Sequence, residues 1–189
     1  MFDHVMIDIE TLGIEADAPI VSIGAAQFNP DTGEIGEVFY RKVLWASGQE
    51  GRAIAPSNIE WWLGQDKAAQ KELIDPHGAV KLGLALHQLE DFIPKGAQIW
   101  ANGPMFDCVI LEHAYKHHSG RMPPWGFRNT RCCRTLKELA SPFVDFSQFK
   151  MVGTMHNALD DCIFQIKWTC AAWQTLRNPD KIRVTQNDH

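Results

Sequence analysis

Two apolar, β-branched runs within the first thirty residues constrain this chain more than any other feature. They are residues 4–10 (His-Val-Met-Ile-Asp-Ile-Glu) and 20–28 (Ile-Val-Ser-Ile-Gly-Ala-Ala-Gln-Phe), and the second leads through the turn residues Asn29-Pro30-Asp31-Thr32-Gly33 into residues 37–43 (Glu-Val-Phe-Tyr-Arg-Lys-Val). Strand-forming side chains on either side of such turn chemistry predict three antiparallel strands at the start of the chain. Helical spacing follows. Pro56-Ser57-Asn58 opens a predicted helix through Trp61-Trp62-Leu63, and Val80, Leu84, Leu86, Leu89 and Phe92-Ile93 mark a second over 79–93. Residues 98–101 return to strand, Pro104 sits where a helix can begin, and 119–130, with Gly and Pro-Pro, is expected to be loop. A short helix over 135–140 and a long amphipathic helix over 159–176 complete the pattern. Strands followed by helices, then a further strand and more helices, with no repeat or linker, predict one mixed α/β layer structure.

Composition narrows the setting. With 45% hydrophobic residues in a chain of 189, there is enough apolar surface for one sizeable core. The apolar runs are far shorter than the roughly 20 residues of a helical membrane span. The first run carries acidic charge and lacks a basic leader, so no signal peptide is expected and a cytoplasmic location is. Five cysteines, an odd number with none spaced C-x-x-C, indicate neither a disulfide framework nor a zinc site. They are expected to be reduced and mostly buried.

Three groups of acidic residues carry the chemistry. Asp8 and Glu10 alternate with apolar residues on the first predicted strand, so both side chains face the same way and repel unless something positive lies between them. Asp107 falls early in the helix after the strand at 98–101, within Asn102-Gly103-Pro104-Met105-Phe106-Asp107. His156-Asn157-Ala158-Leu159-Asp160-Asp161 opens the last helix. Singly, each has an ordinary explanation: solvent-facing carboxylates, compensation of the helix dipole, or capping by Asn157.

Taken in order, D-x-E on a first strand, N-G-x-x-F-D at a strand-to-helix junction and H-x-A-x-x-D at the start of the last helix resemble the DEDD exonuclease superfamily, histidine subtype. The chain looks most similar to the compact bacterial and phage enzymes of the exonuclease VIII-like and 3′–5′ exoribonuclease-like groups. RNase T, oligoribonuclease and polymerase proofreading subunits are more distant. The resemblance implies an RNase H-like mixed β-sheet flanked by helices in a single α/β domain, here residues 1–178, with 179–189 as a loose tail. It makes Asp8, Glu10, Asp107 and Asp161 the metal-binding carboxylates and His156 the general base. The family spacing selects Asp161 over Asp160, which is expected at an exposed helix position.

The implied reaction is metal-dependent hydrolysis of phosphodiester bonds from the 3′ end of single-stranded DNA or RNA, with DNA slightly favoured. Two Mg²⁺ (or Mn²⁺) ions would assist it. Hard oxygen ligands suit these ions and disfavour zinc. Thr11 and Leu12, next to Glu10, are expected to lie against the 3′-terminal nucleotide, and Asn102 and Phe106, which flank the second motif, are candidate substrate contacts.

A net charge of −5 argues against gripping phosphates, but two divalent cations would bring it to about −1. From His113 to Lys137 there is no acidic residue, while Lys116, Arg121, Arg128, Arg131, Arg134 and Lys137 alternate with Tyr115, Trp125 and Phe127. That segment is expected to be a strand-binding surface, with Arg128, Arg131 and Arg134 as phosphate contacts. Of Trp61 and Trp62, adjacent on a helix, one is expected in the core and the other partly exposed; Trp100 and Trp173 are expected in the core. Relatives that form dimers leave a homodimer open. The competing readings are an exoribonuclease trimming RNA 3′ ends, a non-catalytic nucleic-acid-binding protein on the same fold, and a proofreading subunit with a polymerase partner.

Overall fold

The computed structural model describes residues 2–178; the expected tail at 179–189 lies outside them. Five strands form one sheet in the order β3-β2-β1-β4-β5, where β1 is His4–Thr11, β2 Ile20–Phe28, β3 Ile35–Lys42, β4 Gln98–Ala101 and β5 Thr130–Cys132. The first three pair antiparallel, as their turn chemistry predicts, whereas β4 joins β1 and β5 joins β4 in parallel. The helices are α1 (Pro56–Leu63), α2 (Lys67–Ile74), α3 (Leu82–Phe92), α4 (Asp107–Ala114), α5 (Cys133–Ala140) and α6 (Ala158–Leu176). No helix among the described residues is long and apolar enough to cross a membrane.

The alternation of side chains along β1 divides the core. Val5, Ile7 and Ile9 pack with Leu82, Leu86 and Leu89 of α3 and Ile110 and Leu111 of α4. Met6, on the opposite face, packs with Phe28, Trp100, Cys133 of α5 and Cys162 and Ile166 of α6. Asp8 and Glu10 continue the face of Met6 and therefore turn toward α6.

Several expectations change. Val80, read as part of a helix, instead forms a parallel bridge to Val43, and α3 begins at Leu82. A second short helix, α2, follows α1 and was not expected; Asp66 caps it by accepting the Ala69 N–H at 2.9 Å. Strand β5, which begins at the last residue of the expected loop, exists through pairing with Ile99–Ala101. Pro104 leads a turn, and α4 starts at Asp107. Trp62 is fully buried and Trp61 exposed, as adjacency on a helix requires. Trp100 is core, but Trp173 is half-buried, its indole N–H donating to Asp31 Oδ1 at 2.8 Å. Four of the five cysteines are buried and all are free thiols.

Candidate active site

The C-terminal ends of β1 and β4 and the N-terminal ends of α4 and α6 converge on one cleft. It is lined by Asp8, Glu10, Asn102, Phe106, Asp107, His156, Asp161 and Gln165, around a cavity of about 260 Å³. All five residues expected in the catalytic centre are thus brought together from three distant segments. The arrangement depends on close approach of α6 to the sheet. Gly24 pairs with Asp8 across the β1–β2 ladder, and a Cβ at Gly24 would overlap the backbone of Ala158, the first residue of α6. A glycine inside an apolar strand is the sequence mark of such an approach. The two remaining motifs are delivered by their own helix starts. Ile9 N–H donates to Asp107 Oδ1 at 3.2 Å, tying α4 to β1.

At the start of α6, Asn157 takes the capping role, accepting the N–H groups of Leu159 and Asp160 at 3.2 Å each. The aspartates that follow are therefore free to turn back onto the preceding loop. Asp161 Oδ2 accepts the His156 N–H at 3.0 Å and Asp160 Oδ2 accepts the Thr154 N–H at 2.8 Å. Asp160, expected to be exposed, is half-buried because of this bond. His156 itself has φ 63°, alone among the described non-glycine residues in the left-handed region, a conformation that costs about 1–3 kcal/mol unless its surroundings hold it. Its ring lies edge-on to Trp61 at 4.7 Å between centroids, and its Nδ1 is 3.9 Å from Glu10 Oε1.

The electrostatics are one-sided. Burial first, then the charges of Asp107, Glu10 and Asp161, hold the Asp8 carboxyl well above the usual carboxylate range, against the Gln165 amide that donates to it at 2.8 Å. Glu10 is pushed up to about 8 by burial and by Asp161 and Asp107. Burial raises Asp107 to about 7, with the Ile9 N–H and the Arg134 charge opposing. Asp161 is raised by burial and held back by His156. Four carboxyls that burial and mutual repulsion drive toward their protonated forms fit a hard divalent cation, which would ionise all of them at neutral pH. Ligand atoms of Glu10, His156 and Asp161 already lie within 4.8 Å of one another.

A second cavity of about 440 Å³ opens beside the first, lined by Glu10, Thr11, Ile14, Trp61, Phe106 and His156 among others. Thr11 lines it while its hydroxyl donates to Gly13 O at 2.6 Å. Leu12 does not reach it. Its side chain lies in the bend just past the end of β1 and is fully buried with Val21, Trp62 of α1 and Ala69 of α2. The exposed apolar groups at this cavity are Ile14 and Trp61. Phe106 and Asn102 are half-buried at the junction.

The basic segment divides. Arg134 alone reaches the cleft, its Nη2 donating to Asn102 O at 2.6 Å. Arg131 folds back onto the carbonyls of Arg128 and Thr130, at 2.7 and 2.8 Å, and Arg128 precedes β5 at the end of the sheet away from the carboxylates. Both are exposed. Tyr115 and Trp125, expected among surface aromatics, are core residues, Tyr115 donating its hydroxyl to Leu86 O at 2.8 Å. Phe127 is exposed, with the Arg128 guanidinium 5.3 Å from its ring. Residues that sequence reasoning missed are Gly24, Ile14 and Gln165. Gln165 follows Asp161 by four residues, which places both on one stripe of α6.

Comparison with known proteins agrees with this geometry. A family model described as 3'-5' exoribonuclease Rv2179c-like domain matches residues 3–173. The exodeoxyribonuclease of Enterobacteria phage T4 is 30% identical over 125 residues, covering 59% of this chain and 54% of the phage protein. The matched part is therefore about half the length of that relative. Among solved structures, the nuclease domain of 3'hExo, a DEDDh family member bound to rAMP, is 17% identical with a TM-score of 0.59 and 92% of each chain covered. Exonuclease I from Methylocaldum szegediense is 15% identical with a TM-score of 0.64, covering 95% of this chain and 42% of that one. S. pombe Pop2p in its Mg²⁺- and Mn²⁺-bound form is 13% identical with a TM-score of 0.59, covering 95% and 85%. At these identities the structures establish the RNase H-like exonuclease fold, and the family match does the rest. With its D-x-E, F-D and H-x-A-x-x-D motifs gathered in one cleft, the chain belongs to the family of 3'-5' exoribonuclease Rv2179c-like domains.

Proposed function

We propose that residues 1–178 act as one domain that hydrolyses phosphodiester bonds one nucleotide at a time from the 3′ end of single-stranded nucleic acid. The observation that carries this reading is the cluster of four carboxyls with raised pKa beside His156, next to a half-apolar cavity of nucleotide-binding size. Asp8, Glu10, Asp107 and Asp161 would hold two Mg²⁺ or Mn²⁺ ions. Bound there, the ions would neutralise charge on the phosphoryl group and the leaving oxygen.

The protein's own groups do the remaining work. His156 accepts a proton from the attacking water at Nδ1, the ring nitrogen that faces Glu10. Gln165 orients Asp8 through its amide, and the Ile9 N–H orients Asp107. Trp61, Ile14 and Phe106 offer apolar surface to the terminal base, with Thr11 at its edge. Arg134 is the phosphate contact nearest the carboxylates. Arg128 and Arg131 serve a longer strand, beyond the nucleotides in the cleft.

The T4 exodeoxyribonuclease likeness favours DNA as the polymer. The second reading, an exoribonuclease, is favoured by the family description. A time course with 5′-labelled single-stranded DNA and matched RNA, with Mg²⁺, Mn²⁺ or EDTA, tests both. A metal-dependent ladder shortening from the 3′ end is expected, with the faster polymer identifying the substrate. No cleavage of either by the wild-type protein sinks the proposal. His156→Ala is expected to slow the ladder by about 10²–10⁴-fold, the usual contribution of a positioned base.

A further inference from the structure

The loop before α6 must hold its histidine in a backbone conformation that histidine does not favour, and the sequence motif assigns no residue to that task. Within the loop the Asn157 N–H donates to Thr154 O at 3.2 Å, and side chains of α6 supply the bonds that tie the loop to the helix. Among the described residues Thr154 N–H has the Asp160 carboxylate as its acceptor at 2.8 Å, and His156 N–H has Asp161 at 3.0 Å. The two bonds are flanked by left-handed backbone, at Gly153, φ 112°, before the first and at His156, φ 63°, after the second. Gly153 sits so close to the Asp160 carboxylate that a Cβ there would overlap it. The carboxylate therefore occupies the concave side of the loop, in the space a larger residue at 153 would take. Asp160 is free for this because Asn157 already caps the helix, accepting the Leu159 and Asp160 N–H groups. Asp161 faces the cleft, so of the two aspartates bonded to the loop only Asp160 holds it without also belonging to the carboxylate cluster.

We propose that Asp160 is the positioning residue for His156: it clamps residues 153–155 through the Thr154 amide and so fixes the imidazole against Glu10. This rests on the reading of His156 as the base, but the clamp itself is a property of the fold. A misplacement of about 1 Å at a reacting group can cost on the order of 10²-fold. Loss of the clamp should therefore appear in turnover, not in binding. Asparagine keeps an acceptor oxygen at the same place, whereas alanine removes it.

The test compares Asp160→Ala and Asp160→Asn with wild type in two measurements. In steady-state hydrolysis of the preferred labelled oligonucleotide, Asp160→Ala is expected to lower kcat by about 10–100-fold with KM and the Mg²⁺ concentration for half-maximal rate unchanged. Asp160→Asn should restore kcat to within about threefold. In hydrogen exchange, the amides of residues 153–156 should lose protection in the alanine variant and keep it in the asparagine variant, while β1 and α6 exchange as in wild type. An alanine variant with kcat within twofold of wild type, while Asp8→Ala is inactive, overturns the clamp and leaves the exonuclease reading intact. Equal damage by alanine and asparagine overturns it too, since that outcome assigns the effect to charge or general stability. If the wild-type protein degrades neither polymer, the exchange experiment still decides: unchanged protection in Asp160→Ala refutes the clamp, and selective loss over 153–156 supports it.

Discussion

Two charged cavities on this molecule differ in a way that size does not predict. One, of about 380 Å³, is bordered by Asp17, Glu50, Arg52, His113, His117 and His118. The carboxylate cleft is smaller, at about 260 Å³. In the larger cavity the charges offset one another: Arg52 donates to Ala18 O and lies 3.3 Å from His113 Nδ1, while Asp17 opposes both the Arg52 and the His113 shifts. In the cleft, like charges are forced together, and every carboxyl is displaced upward. Uncompensated charge, held in place by backbone and amide hydrogen bonds, sets the cleft apart and is the feature on which the proposed cation site rests. Cavity volume does not.

Substitutions in the two regions should separate sharply. Asp8→Asn removes one of the crowded carboxylates and is expected to lower the nuclease rate by on the order of 10³-fold with the thermal transition retained or raised; a rate near wild type would remove Asp8 from the machinery. Gly24→Val acts from outside the cleft, forcing α6 off the sheet. It should destabilise by about 1–3 kcal/mol and reduce activity by roughly 10²-fold, because the shift moves His156 and Asp161 together. Wild-type rates in a stably folded Gly24→Val would show that the close approach is dispensable. Trp61→Ala, at the apolar side, should lower kcat/KM by about tenfold, the loss of one stacking contact.

Acid–base behaviour sharpens the same contrast. Glu10 and Asp107 keep protons in the folded protein up to about 8 and about 7, values that unfolded carboxyls lose near 4. The metal-free native state therefore binds more protons than the unfolded chain between about pH 4.5 and 8. Its stability is greatest below that window and falls as pH rises through it. Melting curves without metal should show Tm falling from pH 5 to pH 8.5, Mg²⁺ should restore more at pH 8.5 than at pH 5, and Glu10→Gln should flatten the slope. A Tm independent of pH would contradict the crowding. In the balanced cavity, His117→Ala is expected to change the nuclease rate by less than about twofold, the ordinary result for a surface position away from the chemistry.

Much of this was legible in the chain because local chemistry and burial pattern agree. The hairpin of β2 and β3 follows from its turn residues, and the D-x-E pair on one face of β1 follows from the two-residue strand period. The catalytic candidates were found because their order and spacing carry the family motif. Strand β5 and the bridge at Val80 were not legible, since three residues or one pair become extended only when a neighbouring strand is present. Leu12 was misplaced for a similar reason: it follows a cleft residue, yet α1 and α2 bring Trp62 and Ala69 to cover it. Asp160 looked like a solvent-facing helix residue because nothing local shows that Asn157 would take the cap and release it toward Thr154.

By itself the sequence determined the layer architecture and the three antiparallel strands, through periodicity and turn chemistry, and the family motif singled out the four carboxylates and the histidine that the fold gathers in one cleft. The tertiary structure decided which of the basic residues reach the cleft, which apolar groups line the cavity beside it and how the histidine is held. Those outcomes depend on contacts between distant segments, such as Gln165 on Asp8, 157 residues apart, and no local pattern encodes the distance at which one helix start comes to rest on a strand.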